Sequence, residues 1–187
     1  MLLIKSLLNF QHYLLAGIAV TLRSWFLPLL ARFSFAAILL AYYWASALTK
    51  VDFETMSLTT GAYAQIFPQA SAAVGYDVSQ LGFFHSFVVA LGTLAEFALP
   101  AMIVVGFMTR LAALGMIGFV LVQSITDIFG HQVDASTIGA LFDRFPDAVI
   151  LDQRLLWVTI LMVIFVKGAG SLSLDHLFGL DKEDIHL

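Results

Sequence analysis

The chain contains no cysteine. Disulfide relays, thiolate metal sites, iron–sulfur clusters and covalently attached haem c are thereby excluded. It is also poor in charge: Asp, Glu, Lys and Arg make up 12% of its 187 residues, and the net charge of -4 comes from acids in loops. It has no basic cluster of the kind that binds nucleic acid, and no G-x-x-x-x-G-K-[ST] or G-x-G-x-x-G loop to cradle a nucleotide phosphate. A soluble nucleotide enzyme is therefore not expected, and nucleic acid is not an expected partner.

What is present is apolar. Hydrophobic residues account for 60% of the chain, and the mean hydropathy is +0.93. Crossing a bilayer takes about 20 apolar residues, and four runs satisfy this, at 29–48, 85–107, 111–129 and 151–168. The expected fold is an all-α integral membrane protein, a four-transmembrane-helix bundle occupying 28–178. Residues 1–27 carry Lys5, an apolar stretch from Tyr13 to Leu22, then Arg23 and Trp25. A signal peptide would look similar, but a basic residue follows the apolar stretch and no A-x-A cleavage site does. This segment is read as an amphipathic helix lying on the membrane surface.

Two long loops interrupt the spans. Val51 to Phe84 holds Asp52, Glu54 and Asp77, and its apolar part around Tyr63 to Val74 is expected to form a short helix at the bundle mouth. Gly130 to Ile150 holds His131, Asp134, Asp143, Arg144 and Asp147. Loops of this length in a small protein are more often functional than idle. After the fourth span, Ser173 or Asp175 is expected to cap a small helix, and 179–187 is a polar tail. With both termini on one side, that side carries Lys5, Arg23, Arg32, Arg110, Lys167 and Lys182, and the other Lys50, Arg144 and Arg154. The positive-inside rule then gives cytoplasmic termini in a bacterial inner membrane, with the acidic loops facing outward.

The chemistry concentrates around Glu96. It is the single carboxylate in a membrane-length run, and such a group faces a bundle interior or a cavity. Pro100 leaves the carbonyl four residues earlier, that of Glu96 itself, without its helical donor. The turn Gly106 to Arg110 is so short that the second and third spans must be antiparallel neighbours. On the third span Gln123, Asp127 and His131 recur every four residues and share one helical face. With Glu96 they form a candidate polar track from the outer surface to the bilayer centre, as a quinone site or a proton relay needs. The alternative is that these groups satisfy one another and hold helices together. His85 and His131 with Asp127 form a weak candidate set for a metal or haem b, although histidines without tight spacing are more often interfacial hydrogen-bonders. Arg110 is either a positive-inside anchor or a clamp for an anionic head group or substrate, with Arg32 as its candidate companion. Arg32 is expected to snorkel to the interface, and Lys50 to close the first span.

These residues together resemble the DoxX family of small four-span bacterial membrane proteins. The resemblance runs from Arg32 through Trp44, Ser46, Lys50 and Glu96 to Gly106-Phe107-Met108-Thr109-Arg110-Leu111-Ala112-Ala113-Leu114. It closes with Asp152-Gln153-Arg154-Leu155-Leu156-Trp157 and with Gly168-Ala169-Gly170-Ser171-Leu172-Ser173-Leu174-Asp175. It implies a four-helix membrane bundle with the glutamate between helices, and marks Glu96, Arg110 and Lys50 as motif positions. Relatives include the quinone-reducing membrane subunit of thiosulfate:quinone oxidoreductase, and many members have no assigned activity.

The leading expectation is a membrane subunit of a quinone-linked redox complex. Glu96 exchanges a proton with the quinone, Gln123 and Asp127 pass protons outward, Arg110 anchors the cytoplasmic end, and His131 is a further quinone or lipid contact. Quinone is the leading candidate cofactor, ahead of the weak haem b set, and no metal site is assigned. The sequence offers no evident electron-cofactor motif, so a partner protein supplies the electrons and membrane lipid surrounds the chain. The alternatives are a non-catalytic structural or assembly subunit and, third, a small proton-coupled transporter.

Overall fold

The computed structural model describes residues 2–180. Four of its helices are long and apolar enough to cross a membrane: Phe26–Leu48, Phe83–Val105, Thr109–Gly130 and Val149–Lys167, here spans one to four. Span one packs on two, two on three, three on four and four on one, so the four close into a bundle. The connections Lys50 to Gly82 and His131 to Ala148 lie at one end, the loop end. The short link between spans two and three lies at the other, the turn end.

The core follows from helical spacing. Phe35, Leu39 and Tyr43 of span one recur every four residues, as do Ala112, Met116 and Val120 of span three. Each set makes a stripe facing Ile103 of span two and Trp157, Leu161 and Ile164 of span four. Only 22–33% of the most apolar window of each span is buried. The outward positions are just as apolar, with Leu91, Leu94, Leu121, Val122, Leu155 and Leu156 all exposed. A helix apolar on all sides suits a nonpolar surrounding rather than water.

The expected spans begin two or three residues late, and local turn chemistry explains the shift at the link. Gly106 adopts a left-handed φ of 73° and ends span two at Val105; Met108 is also left-handed, and span three starts at Thr109. Three helical stretches widen into π turns, at Ala36–Leu40, Thr126–Gly130 and Val149–Gln153. The hydrophobic pattern gives no sign of them.

At the turn end, the two motif fragments singled out in the sequence meet. The Asp175 carboxylate accepts from the amides of Met108 (2.7 Å) and Thr109 (2.9 Å) and from the Thr109 hydroxyl (2.6 Å). It thereby caps span three, whose first amides have no helical partner. The Asp175 amide in turn donates to the Gly106 carbonyl at 2.8 Å. Of the two expected caps, it is Ser173 that caps the small helix Leu174–Leu177, accepting from the His176 amide at 3.1 Å. Arg32 does not snorkel to the interface. It is buried and donates to four carbonyls: Ile103 (3.0 Å) and Val104 (2.6 Å) at the end of span two, and Ala169 (2.8 Å) and Leu172 (2.6 Å) after span four. Carbonyls at helix ends need such donors, and these hold Arg32 in the core.

At the loop end, Val51–Asp52 pairs antiparallel with Ser57–Leu58. The helix expected near Tyr63 to Val74 forms as two, Thr60–Ile66 and Pro68–Ala73, with Pro68 at the first position of the second. Ala62 and Tyr63 pack on Val89 of span two, and the Tyr63 hydroxyl donates to Ser86 at 3.1 Å. The 1–27 segment is a helix over Leu2–Ser24, on which Phe10, Tyr13, Leu14, Leu15 and Ile18 are exposed. Of the expected tail, 181–187 lies outside the described residues.

Candidate functional site

Glu96 faces inward from span two and is 6% exposed. Its partner is Lys50, 2% exposed. The Lys50 Nζ donates to Glu96 Oε2 at 2.8 Å and Oε1 at 3.1 Å, and to Ser46 Oγ at 2.7 Å. Ser46 Oγ lies 3.4 Å from Glu96 Oε1. Lys50 therefore does not close span one at the surface; it folds back into the bundle. The backbone dictates this. Lys50 follows the last turn of span one, its amide donates to the Ala47 carbonyl at 3.0 Å, and its own carbonyl accepts from Thr59 at 3.0 Å. Held by the strand pair, its side chain runs back along the helix to Ser46, four residues earlier. All three ammonium protons find acceptors, which is the condition under which a buried charge is tolerated.

The pair forms part of the wall of a cavity of about 390 Å³ between spans two and three. The space exists because facing positions are small: Gly92 and Ala95 on span two, Gly115 and Gly118 on span three. A Cβ on Gly115 would come within 3.2 Å of Leu99, whereas one on Gly118 would meet nothing within 4 Å. Leu91, Leu99, Phe119 and Val122 line the apolar part, and Gln123, Asp127 and His131 line it toward the loop end. The four residues of the expected track, Glu96 included, thus share one cavity.

They do not form a bare chain of free groups, however. Gln123 accepts from Tyr43 (3.3 Å) and donates to Tyr42 (3.1 Å). Asp127 forms an ion pair with Arg154, which also donates to Ser124 Oγ at 3.0 Å. His131 Nε2 donates to the Gln65 carbonyl at 2.9 Å. The π turn Thr126–Gly130 breaks the regular four-residue repeat between Asp127 and His131, so each side chain finds its own partner. His85 stacks edge-on against Phe67 with ring centres 4.8 Å apart, and its buried Nδ1 has no hydrogen-bond partner. His85, His131 and Asp127 do not converge; among the described residues no three His, Asp or Glu side chains are placed to hold a metal ion. Arg110 lies at the turn end, away from this cavity, and lines a different cleft.

Sequence reasoning missed three groups here: Lys50 as ion partner, Arg154 as the counter-charge of Asp127, and Tyr42 with Tyr43 around Gln123. A signal for Lys50 was present, since Ser46 and Lys50 are spaced to share one helical face. Chemically, the cavity offers an apolar slot with a carboxylate that can accept from a hydroxyl and a desolvated ammonium that can donate to a carbonyl in exchange for its contact with Ser46 Oγ. No family model matches the chain, and neither does any curated protein or solved structure.

Proposed function

We propose that this chain spans a bacterial cytoplasmic membrane four times and binds a quinone in the cavity beside Glu96, as the membrane subunit of a redox complex. The observation that carries the reading is the Lys50–Glu96 pair at the wall of an otherwise apolar slot. A quinone ring needs apolar walls and, for its two oxygens, a donor in the oxidised form and an acceptor in the reduced form. Glu96 supplies the acceptor, and Lys50 supplies the donor by exchanging its contact with Ser46 Oγ for one to the ring oxygen. Reduction to quinol takes two electrons from a redox partner protein and two protons, taken up in succession at Glu96. Gln123, Asp127 and His131 line the side of the cavity toward the loop end, the side through which Glu96 exchanges protons with the outer face. The resemblance to the DoxX family supports both the membrane placement and the quinone.

The test is to purify the protein in mild detergent, extract it with organic solvent and quantify bound quinone. Near-stoichiometric quinone is expected in the native protein, falling below detection in Gly118→Phe, whose ring would occupy the slot. Glu96→Gln keeps hydrogen-bonding atoms for Lys50 and Ser46 but removes the counter-charge, so it is expected to fold with reduced stability and, in the folded fraction, to lose quinone-linked turnover. Turnover unchanged in Glu96→Gln removes the carboxylate from the mechanism, and quinone retained in Gly118→Phe removes the cavity from it.

A second reading, a non-catalytic assembly subunit, is favoured by the helix Leu2–Ser24, on which Phe10, Tyr13, Leu14, Leu15 and Ile18 are exposed. A protein without quinone that co-purifies with a larger membrane complex would make this the better account.

A further inference from the structure

The cavity beside Glu96 is covered on one side and open on another. At the loop end it is roofed by the helices Thr60–Ile66 and Pro68–Ala73, of which Gln65 and Ile66 line it. Three contacts latch this roof to the end of span three. The Gln65 carbonyl accepts from His131 at 2.9 Å, and the Gln69 side-chain amide donates to the Phe129 carbonyl at 3.0 Å. Gly130 lies so close to Pro68 that a Cβ there would come within 2.9 Å of its ring. Ile66 reaches down onto span two, where a Cβ on Gly92 would touch it at 3.4 Å. Hydrogen-bonded groups of this kind can hand on a proton, whereas a ring could enter only by breaking the latch.

The side between spans two and three is different. Helical spacing puts Leu91 and Ala95 on one stripe of span two, and Gly115, Gly118 and Val122 on one stripe of span three. All five line the cavity. Yet Leu91 is 54% and Val122 63% exposed, and both glycines are exposed as well, so the cavity wall is continuous with the outer surface of the bundle. The space in front of Gly118 is empty, since a Cβ there would meet nothing within 4 Å. Glu96 lies nine residues before the end of span two and Gly118 nine residues after the start of span three, so both sit about 14 Å from the turn end. That is near the middle of a hydrocarbon core of about 30 Å, a depth that water-soluble substrates do not reach.

We infer that the ligand reaches Glu96 sideways from the bilayer, between spans two and three, and binds with its polar ring at Glu96 and an apolar tail leaving between Leu91 and Val122. The inference rests on the quinone reading above and narrows it to quinones that carry a long hydrocarbon tail. A tail leaving by this gap stays in lipid throughout, whereas one leaving through the roof would run into water. Leu91 and Val122 touch the first units of the tail, and Gly118 leaves them room.

The experiment reconstitutes the full chain in liposomes with a ubiquinone analogue whose first isoprenoid unit carries a photoreactive diazirine. After irradiation, cross-linked residues are mapped by mass spectrometry, with and without excess unlabelled ubiquinone. Label on Leu91 and Val122 is expected, and is expected to be lost in the excess; label that persists in the excess is background from the lipid phase. Displaceable label on Gln65 or His131 instead overturns the sideways route and leaves the quinone reading standing. Displaceable label on no residue overturns both.

Discussion

Lys50 is the residue on which the site's stability turns. Its charge and that of Glu96 are both almost fully removed from water, and each is tolerated only because of the other. Replacing Lys50 by Met leaves the carboxylate buried without a counter-charge, which costs about 3–5 kcal/mol. The expected result is a large loss of stability in chemical denaturation in detergent, with at least half recovered by adding Glu96→Gln. A double variant no more stable than the single one would mean that the two charges do not act as a pair. The acid was legible in the sequence, because a lone carboxylate in an apolar run stands out. The base was not, because Lys50 falls just past the end of span one, where a lysine ordinarily turns to solvent. Arg32 misled in the same way: near a helix end it suggests snorkelling, yet carbonyls from two other segments draw it inward.

At the scale of elements, the spans were readable from hydropathy and the turns between them were not. Their ends depend on single conformations such as the left-handed Gly106. Gly106→Ala combines that backbone strain with a Cβ only 2.5 Å from the Cβ of Ser173 and 2.9 Å from Arg32. It is expected to destabilise by more than about 2 kcal/mol, measured by thermal melting. Asp175→Ala removes the cap of span three and is expected to cost about 1–2 kcal/mol; a loss within error would show that water replaces the carboxylate freely. The loop-end turns carry a pH signature. Asp52, Asp77 and Asp134 each accept from main-chain amides and nearby side chains, which hold their carboxyls below the usual carboxylate range. The stabilisation of those turns is present at neutral pH and is lost as pH falls through the depressed values. Carboxyl carbon titrations by NMR should give three midpoints below that of a free aspartate.

For the whole molecule, the four-helix bundle follows from composition and from the four-residue stripes at Phe35, Leu39 and Tyr43 and at Ala112, Met116 and Val120. The convergence of Glu96, Gln123 and Asp127 on one cavity was half legible. The helix face was readable, but the partners that fix each side chain come from spans one and four. The helix Leu2–Ser24 contributes little cover to this core. A chain beginning at Trp25 is expected to insert and to melt within about 4 °C of the full protein, since a loss under about 1 kcal/mol moves the midpoint no further. A drop well beyond that would show that the helix packs on the bundle in the membrane.

The clasp between Asp175 and the Met108–Thr109 amides also bears on how the protein is made. The link between spans two and three emerges from the ribosome early, but the carboxylate that caps it follows all four spans. Until then the first amides of span three lack that acceptor, and Arg32 lacks two of its four carbonyls. The newly inserted hairpin is thus provisional, and a stretch synthesised only after all four spans is the one that secures it.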